Sequence, residues 1–290
     1  MIERVRTGLR RLAGRTGDAA TTRGPMSAPV PLTLPLPPVR LRAAGAHFRD
    51  DAAFLASAVA EARLIVAEAH RVVAEAEAES KGEPAAQPAA RDVPPRFLSI
   101  LDVGCGAGRL AYGLIAAEAP IGRYEGVDVM AAPIDWCAQT ISPGHDAYQF
   151  RTIDVYNERY NPAGAKVATD AALPFDDGSF DLVYAFSVFS HMLTADVRAY
   201  LLEFARLLAA RGVVMITAFV EDGVPDEAVN PVGYQEIAWG GALHCVRFSR
   251  AHVEKMIEGA GLRIGRFDHA AAEDGQSRLI LTRRDHDATA

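Results

Sequence analysis

Residues 98–114 read LSILDVGCGAGRLAYGL and carry the clearest structural signal in the chain. An apolar run, 97–101, is followed by Asp102, by three glycines at alternate positions from 104 to 108, and by a helix-compatible run, 109–118. This order predicts a strand, a tight turn and a helix. Glycine permits backbone conformations closed to other residues and lets a ligand lie on the main chain near a helix N-terminus. The turn is therefore predicted to bind a nucleotide-type ligand.

The spacing of the glycines bears on which nucleotide the turn accepts. Dinucleotide-binding folds use the pattern G-x-G-x-x-G, and Arg109 occupies the place of its third glycine. A pyrophosphate site is therefore disfavoured. A nicotinamide-dependent oxidoreductase on a similar sheet remains an alternative function at this point.

The same segment, LDVGCGAG at 101–108, resembles the first motif of class I S-adenosylmethionine-dependent methyltransferases. Residues 122–141, GRYEGVDVMAAPIDWCAQTI, are similar to one branch of that family, which writes GRYEGFDIV followed by IDWC. The branch also uses the motifs YNPxG and SVFxHM, which match residues 160–164 and 187–192. The pattern LPFDDGSFD, 173–181, is frequent in the class as a whole. The resemblance covers residues 97 to about 282.

This resemblance implies S-adenosylmethionine as cofactor and a set of residues that hold it. Asp102 would help hold the ammonium group, and Asp128, at the end of the second predicted strand, would accept hydrogen bonds from both ribose hydroxyls. Asp154, after the third strand, would contact the adenine amino group, with Asp170 as the alternative. The complete set of implied cofactor contacts is Asp102, Gly104, Cys105, Gly106, Gly108, Asp128, Val129, Asp154 and Ser187.

The residues that act on the methyl acceptor are less clearly marked. His191 follows the fourth predicted strand and is the candidate base, although a histidine packed against the next helix would give the same pattern. His244, in the irregular segment 220–248, is the second candidate. No cluster of histidines and carboxylates indicates a metal site. The branch implies a sugar, glycan or other small-molecule hydroxyl as acceptor; N-methylation and a non-catalytic cofactor-binding scaffold are the alternatives.

The predicted fold is a doubly wound, Rossmann-like α/β domain. Six apolar strands alternating with helices, and one final hairpin partner, predict a seven-stranded, mostly parallel sheet with helices on both faces. The resemblance implies that the last strand is antiparallel. The predicted strands are 97–101, 123–128, 148–153, 182–186, 213–219, 262–269 and 277–282.

Composition divides the chain into five parts. Residues 1–49 are basic and proline-rich and are interpreted as a flexible extension, 50–80 as an Ala/Glu-rich helix and 81–95 as a linker. Residues 96–283 form the predicted catalytic domain and 284–290 a tail. The helix over 50–80 could pack on the domain, cap the cofactor site or mediate a homodimer.

Charge and cysteine content limit the partners and the compartment. Residues 96–290 carry 17 Lys or Arg against 26 Asp or Glu, and this acidic balance argues against nucleic acid as partner. The three cysteines lie far apart, which suits a reducing compartment. No apolar run approaches the roughly 18 residues of a membrane span, so a cytoplasmic protein is predicted. Residues 1–16 could form a basic amphipathic helix that touches a membrane surface, or an uninformative terminus.

Overall fold

The computed structural model of the protein describes residues 33–42, 46–80, 97–168, 172–272 and 274–284. The predicted helix over 1–16, the linker 81–95 and the alternative adenine ligand Asp170 lie outside the described residues. No helix in these described ranges is both long enough and apolar enough to span a membrane.

Nine strands and five α-helices make up the described fold. The strands are β1 (Leu98–Val103), β2 (Ile121–Asp128), β3 (Tyr148–Thr152), β4 (Phe180–Ala185), β5 (Leu208–Glu221), β6 (Glu227–Val229), β7 (Val246–Ser249), β8 (Leu262–Asp268) and β9 (Ser277–Arg283). The helices are α1 (Asp51–Ser80), α2 (Arg109–Ala116), α3 (Ala131–Thr140), α4 (Thr194–Leu207) and α5 (Arg250–Gly259).

The sheet is mostly parallel, as predicted. Strands β3, β2, β1, β4 and β5 lie side by side in that order and pair in parallel. The last strand, β9, pairs antiparallel with both β5 and β8. Because all the parallel strands point the same way, their carboxyl ends meet at one edge of the sheet, where open α/β sheets bind ligands. The fold class is therefore confirmed.

The sheet has nine strands rather than the predicted seven. Strand β5 is 14 residues long and pairs with β9 only over residues 214–218. Its last three residues, 219–221, therefore bond to a different partner, β7, and β7 in turn pairs with β6. Apart from Ser249 at the end of β7, both extra strands lie in the segment 220–248, which was predicted to be irregular. They are three and four residues long, too short to give a readable alternating pattern.

Alternate residues along the strands belong to two apolar cores, one on each face of the sheet. Leu98 and Ile100 of β1 join one core with α1, α2 and α3. Leu101 and Val103 join the other core with α4 and α5. The same alternation recurs in β4 and β5 and follows from the two-residue period of a strand. The sheet is covered on both faces, and its carboxyl edge is left for ligands.

Helix α1 belongs to the domain because it packs along the first of these faces. It buries Ala58, Ala62 and Ile65, and its Glu61 carboxylate accepts a hydrogen bond from Tyr184 in β4 at 2.9 Å. It lies directly against α2 at Gly113, where any Cβ would overlap the carbonyl group of Ala58. The two helices therefore touch backbone to backbone.

We expect Gly113→Ala to reduce the free energy of unfolding by about 1–3 kcal/mol, because the added methyl group would separate α1 from α2. Gly259→Ala is the matched control, since Gly259 lies in a helix and a Cβ there meets nothing within 4 Å. Urea unfolding of both variants checks the prediction. Equal stability of the two variants would contradict the described contact.

Candidate active site

The glycine turn joins β1 to α2 at the carboxyl edge of the sheet. Gly104, Gly106 and Gly108 have φ angles of +73°, +52° and +78°, in the left-handed region. A Cβ at Gly104 would overlap Val188, so glycine at this position lets the loop after β4 touch the turn. A Cβ at Gly106 would meet nothing within 4 Å, so the space beside this residue is free for a ligand.

Two buried acids flank this turn at the ends of neighbouring strands. Asp102 accepts a hydrogen bond from the Tyr124 hydroxyl at 2.6 Å. The two carboxylate oxygens of Asp128 accept from the backbone N–H groups of Gly106 and Met130, both at 2.8 Å. Asp128 thus ties the glycine turn to the end of β2. Each of its oxygens keeps a second lone pair for a ligand donor.

The pKa values of both acids reflect this burial. Burial raises the pKa of Asp102 to about 7; the Tyr124 hydrogen bond and the charge of Arg109 oppose the rise, and the nearby charge of Asp128 adds to it. Burial also raises the pKa of Asp128, and the backbone N–H groups that it accepts from counteract this. A cation or hydroxyl donors placed beside these groups would favour their charged forms.

The other predicted cofactor residues lie around the same edge. Cys105 is buried, and its Sγ atom lies 3.7 Å from the carbonyl oxygen of Gly106. Val129 follows Asp128 and packs against the core. Asp154 is exposed two residues beyond β3, where its Oδ1 atom accepts a bond from the Ala165 N–H at 3.1 Å. Their contacts with the cofactor stay predictions.

Ser187 lies in the loop after β4 and is held by a polar network that the sequence did not reveal. Its φ angle is +56°, and its N–H donates to the Thr217 hydroxyl at 2.8 Å. The Gln276 amide donates to the Ser187 hydroxyl at 2.9 Å and accepts from Thr217 at 3.0 Å. Thr217 and Gln276 are both buried. A polar residue inside an apolar strand was the signal that could have identified Thr217.

His191 lies in a short 3₁₀ turn of the same loop. Its Nδ1 atom is 2.9 Å from the carbonyl oxygen of Leu243, and because a carbonyl only accepts, Nδ1 carries the proton. Burial lowers the pKa of the imidazole and so favours the neutral ring. Nε2 is then an unprotonated acceptor. The ring also meets Tyr160 edge to face, with 5.3 Å between their centroids.

His244 lies in the segment between β6 and β7. Its Nδ1 atom is 3.0 Å from the Gly240 carbonyl oxygen, and its ring contacts Trp239 with 5.1 Å between centroids. This segment meets the loop after β3, because Arg159 donates to the Ala242 carbonyl at 3.3 Å. Across the described residues, no group of three or more His, Cys, Asp or Glu side chains could hold a metal ion.

Comparison with known proteins supports the interpretation of this edge. Residues 101–216 match a family model described as a methyltransferase domain. This match spans β1 to β5 with the glycine turn, and it favours a methyltransferase over the nicotinamide-dependent alternative.

Several solved structures are similar to the chain. A Haloferax volcanii methyltransferase in complex with the Trm112 activator shares 21% identity over 66% of this chain and 85% of that chain, with a TM-score of 0.46. The [4+2]-cyclase SpnF shares 19% sequence identity over 67% of this chain and 78% of that chain, with a TM-score of 0.47. Geranyl diphosphate C-methyltransferase from Streptomyces coelicolor A3(2) shares 16% sequence identity over 66% of this chain and 72% of that chain, with a TM-score of 0.45.

The pKa of Asp102 predicts a pH-dependent stability without cofactor. Between the ordinary carboxyl pKa of 3.8 and about 7, the folded protein keeps a proton on Asp102 that the unfolded chain has lost, so the free energy of unfolding falls as the pH rises. Asp102→Asn cannot ionise. We therefore expect the free energy of unfolding of Asp102→Asn, relative to that of the wild type, to increase by on the order of 1.4 kcal/mol for each pH unit between these two pKa values.

Urea unfolding at pH 5 and pH 8 measures this gain. The exposed Asp176→Asn variant is the control and should differ from the wild type equally at both pH values. If Asp102→Asn behaves like this control, the carboxyl group is not shifted as described.

Proposed function

We propose that residues 101–216, which match a methyltransferase domain, form a class I methyltransferase domain that uses S-adenosylmethionine, and that the protein methylates a hydroxyl group of a sugar, glycan or other small molecule. The observation that carries the proposal is the orientation of His191. Its Nδ1–H is engaged by the Leu243 carbonyl, which leaves Nε2 free to accept a proton. A neutral base beside a predicted acceptor site suits a hydroxyl, which is a poor nucleophile until its proton is removed.

The residues of the turn fit the cofactor. The free space beside Gly106, the carboxylate of Asp102 and the remaining lone pairs of Asp128 provide a cradle for a cationic amino-acid end and for ribose hydroxyls. Asp154 is the proposed partner of the adenine amino group. When bound, S-adenosylmethionine supplies an electrophilic methyl group on a sulfonium.

The position of His191 relative to this cradle supports its role as base. Val188, three residues earlier in the same loop, touches the glycine turn at Gly104. The Asn157 amide donates to the His191 carbonyl at 3.0 Å and ties the histidine to the loop after β3. The loop that holds His191 is therefore in contact with the glycine turn through Val188 and with the loop after β3 through Asn157. In the proposed reaction the Nε2 atom of His191 takes the proton of the acceptor hydroxyl as the oxygen is methylated.

The aromatic side chains near both histidines support a small acceptor with an apolar face. Tyr160 contacts His191, and Trp239 lies between His244 and Phe219, with centroid distances of 5.1 and 5.5 Å. Such rings offer flat apolar surfaces with polar edges. Sugar rings and related cyclic alcohols match that combination.

The first test concerns the cofactor. We expect Asp128→Asn to weaken the binding of S-adenosylmethionine by roughly 10- to 100-fold, because hydrogen bonds to a charged acceptor contribute about 1.5–3 kcal/mol. Calorimetric titration measures the change, and the exposed Asp176→Asn variant serves as control. Unchanged affinity in Asp128→Asn would rule out the ribose assignment.

The second test concerns the acceptor and the base. A screen of alcohols, sugars and amines with mass detection of methylated products would identify an acceptor. With an alcohol acceptor, we expect His191→Asn to lower kcat about 10²- to 10⁴-fold. His244→Asn should lower kcat much less. Because burial lowers the pKa of His191, the wild-type rate should fall only at pH values below the ordinary histidine range. Methylation of amines alone, with His191→Asn fully active, would contradict the proposal.

A further inference from the structure

The Arg109 guanidinium is held by two aromatic rings. Its Cζ atom lies 4.7 Å from the ring centroid of Phe186 and 5.3 Å from that of Phe48. No carboxylate of the described residues forms an ion pair with Arg109. Stacking on ring faces leaves the in-plane N–H donors of a guanidinium unused. The side chain is thus fixed in place while its charge and its donors are still available.

This guanidinium lies on the cofactor side of the fold. Arg109 directly follows Gly108, the last glycine of the turn. Phe186 is the residue after β4, and β4 pairs with β1 in a register that sets Tyr184 opposite Asp102. Burial raises the pKa values of both Asp102 and Tyr184, and the charge of Arg109 is close enough to oppose the rise in each. The cation therefore lies over the carboxyl ends of β1 and β4, near the buried Asp102 carboxylate.

The amino-acid end of S-adenosylmethionine carries both an ammonium and a carboxylate, and only the ammonium has an assigned partner. We propose that Arg109 binds the cofactor carboxylate, and that Phe48, from the segment before α1, helps to hold the guanidinium in position. This inference rests on the proposed use of the cofactor. The planar guanidinium suits a carboxylate because it can donate two parallel hydrogen bonds.

Phe48 is itself held firmly, which makes the N-terminal segment part of the cofactor site. Its carbonyl oxygen accepts a hydrogen bond from Arg42 at 3.1 Å, and its ring meets Phe54 of α1 edge to face, with 6.4 Å between centroids. Residues 33–42 are tied to the domain as well, because the Tyr112 hydroxyl donates to the Pro35 carbonyl at 2.6 Å. The segment before the catalytic domain thus contributes one wall of the Arg109 sandwich.

Calorimetric titration with S-adenosylmethionine and with its decarboxylated form tests the proposal, since the two ligands differ only in the carboxylate. The wild type should bind S-adenosylmethionine roughly 10- to 100-fold more tightly than the decarboxylated form, as expected for a charge-assisted hydrogen bond. Arg109→Ala should bind both ligands alike, and Phe48→Ala should reduce the preference in part. Loss of Arg109 also affects Asp102, but that effect is common to both ligands and cancels in the ratio.

Arg123→Ala is the matched control. Arg123 also lies between two phenylalanine rings, Phe180 at 4.8 Å and Phe175 at 5.6 Å, but near the start of β2, at the opposite edge of the sheet from Asp128. The Arg123→Ala variant should prefer S-adenosylmethionine over its decarboxylated form as strongly as the wild type does. Arg109→Gln keeps donors without charge and replaces Arg109→Ala if that variant does not fold.

Two outcomes would overturn the inference: a wild type that binds both ligands alike, or an Arg109 variant that keeps the wild-type preference. A wild type that binds neither ligand would overturn the proposed function itself and this inference with it.

Discussion

The site depends on two carboxyl groups that are buried close together at the ends of adjacent strands. Asp102 of β1 pairs with Gly126 of β2, and Asp128 lies two residues further along β2. Burial of such charges is costly unless they are paired and hydrogen-bonded. In the protein alone, this cost is only partly offset. The partners are a tyrosine hydroxyl, two backbone N–H groups and the nearby charge of Arg109, and the pKa values of both acids are still raised. The ligand proposed above would bring an ammonium group and hydroxyl donors to these two carboxyl groups, and such partners favour the charged form of a buried acid.

The parts of this arrangement that depend on local sequence could be predicted. The strand–turn–helix around 98–114, the fold class and the placement of Asp102 and Asp128 at strand ends all follow from short patterns of apolar residues and glycine. A strand buried on both faces is a continuous apolar run, and a tight turn needs glycine. Such features can be recognised from a segment of about ten residues.

The parts that depend on contacts between distant residues could not. Gln276 is 89 residues from Ser187, and Tyr112 is 77 residues from Pro35. No periodicity relates such pairs, so the support of the loop after β4 and the packing of residues 33–42 were missed. The same holds for β6 and β7, which exist because β5 extends past its antiparallel partner. The roles of the predicted cofactor and acceptor residues remain predictions, since they concern bound ligands.

The position of β9 has a consequence for how the protein is made. Although β9 is the last strand of the described residues, it lies between β5 and β8 inside the sheet. Helix α1 is synthesised long before it, yet Glu61 of α1 pairs with Arg278 of β9, 217 residues later. A ribosome adds about 5–20 residues per second, so α1 waits on the order of ten seconds or longer for that partner. The sheet can close only when residues 277–283 have left the ribosome, and until then the edges of β5 and β8 that pair with β9 expose unpaired backbone N–H and C=O groups to other chains.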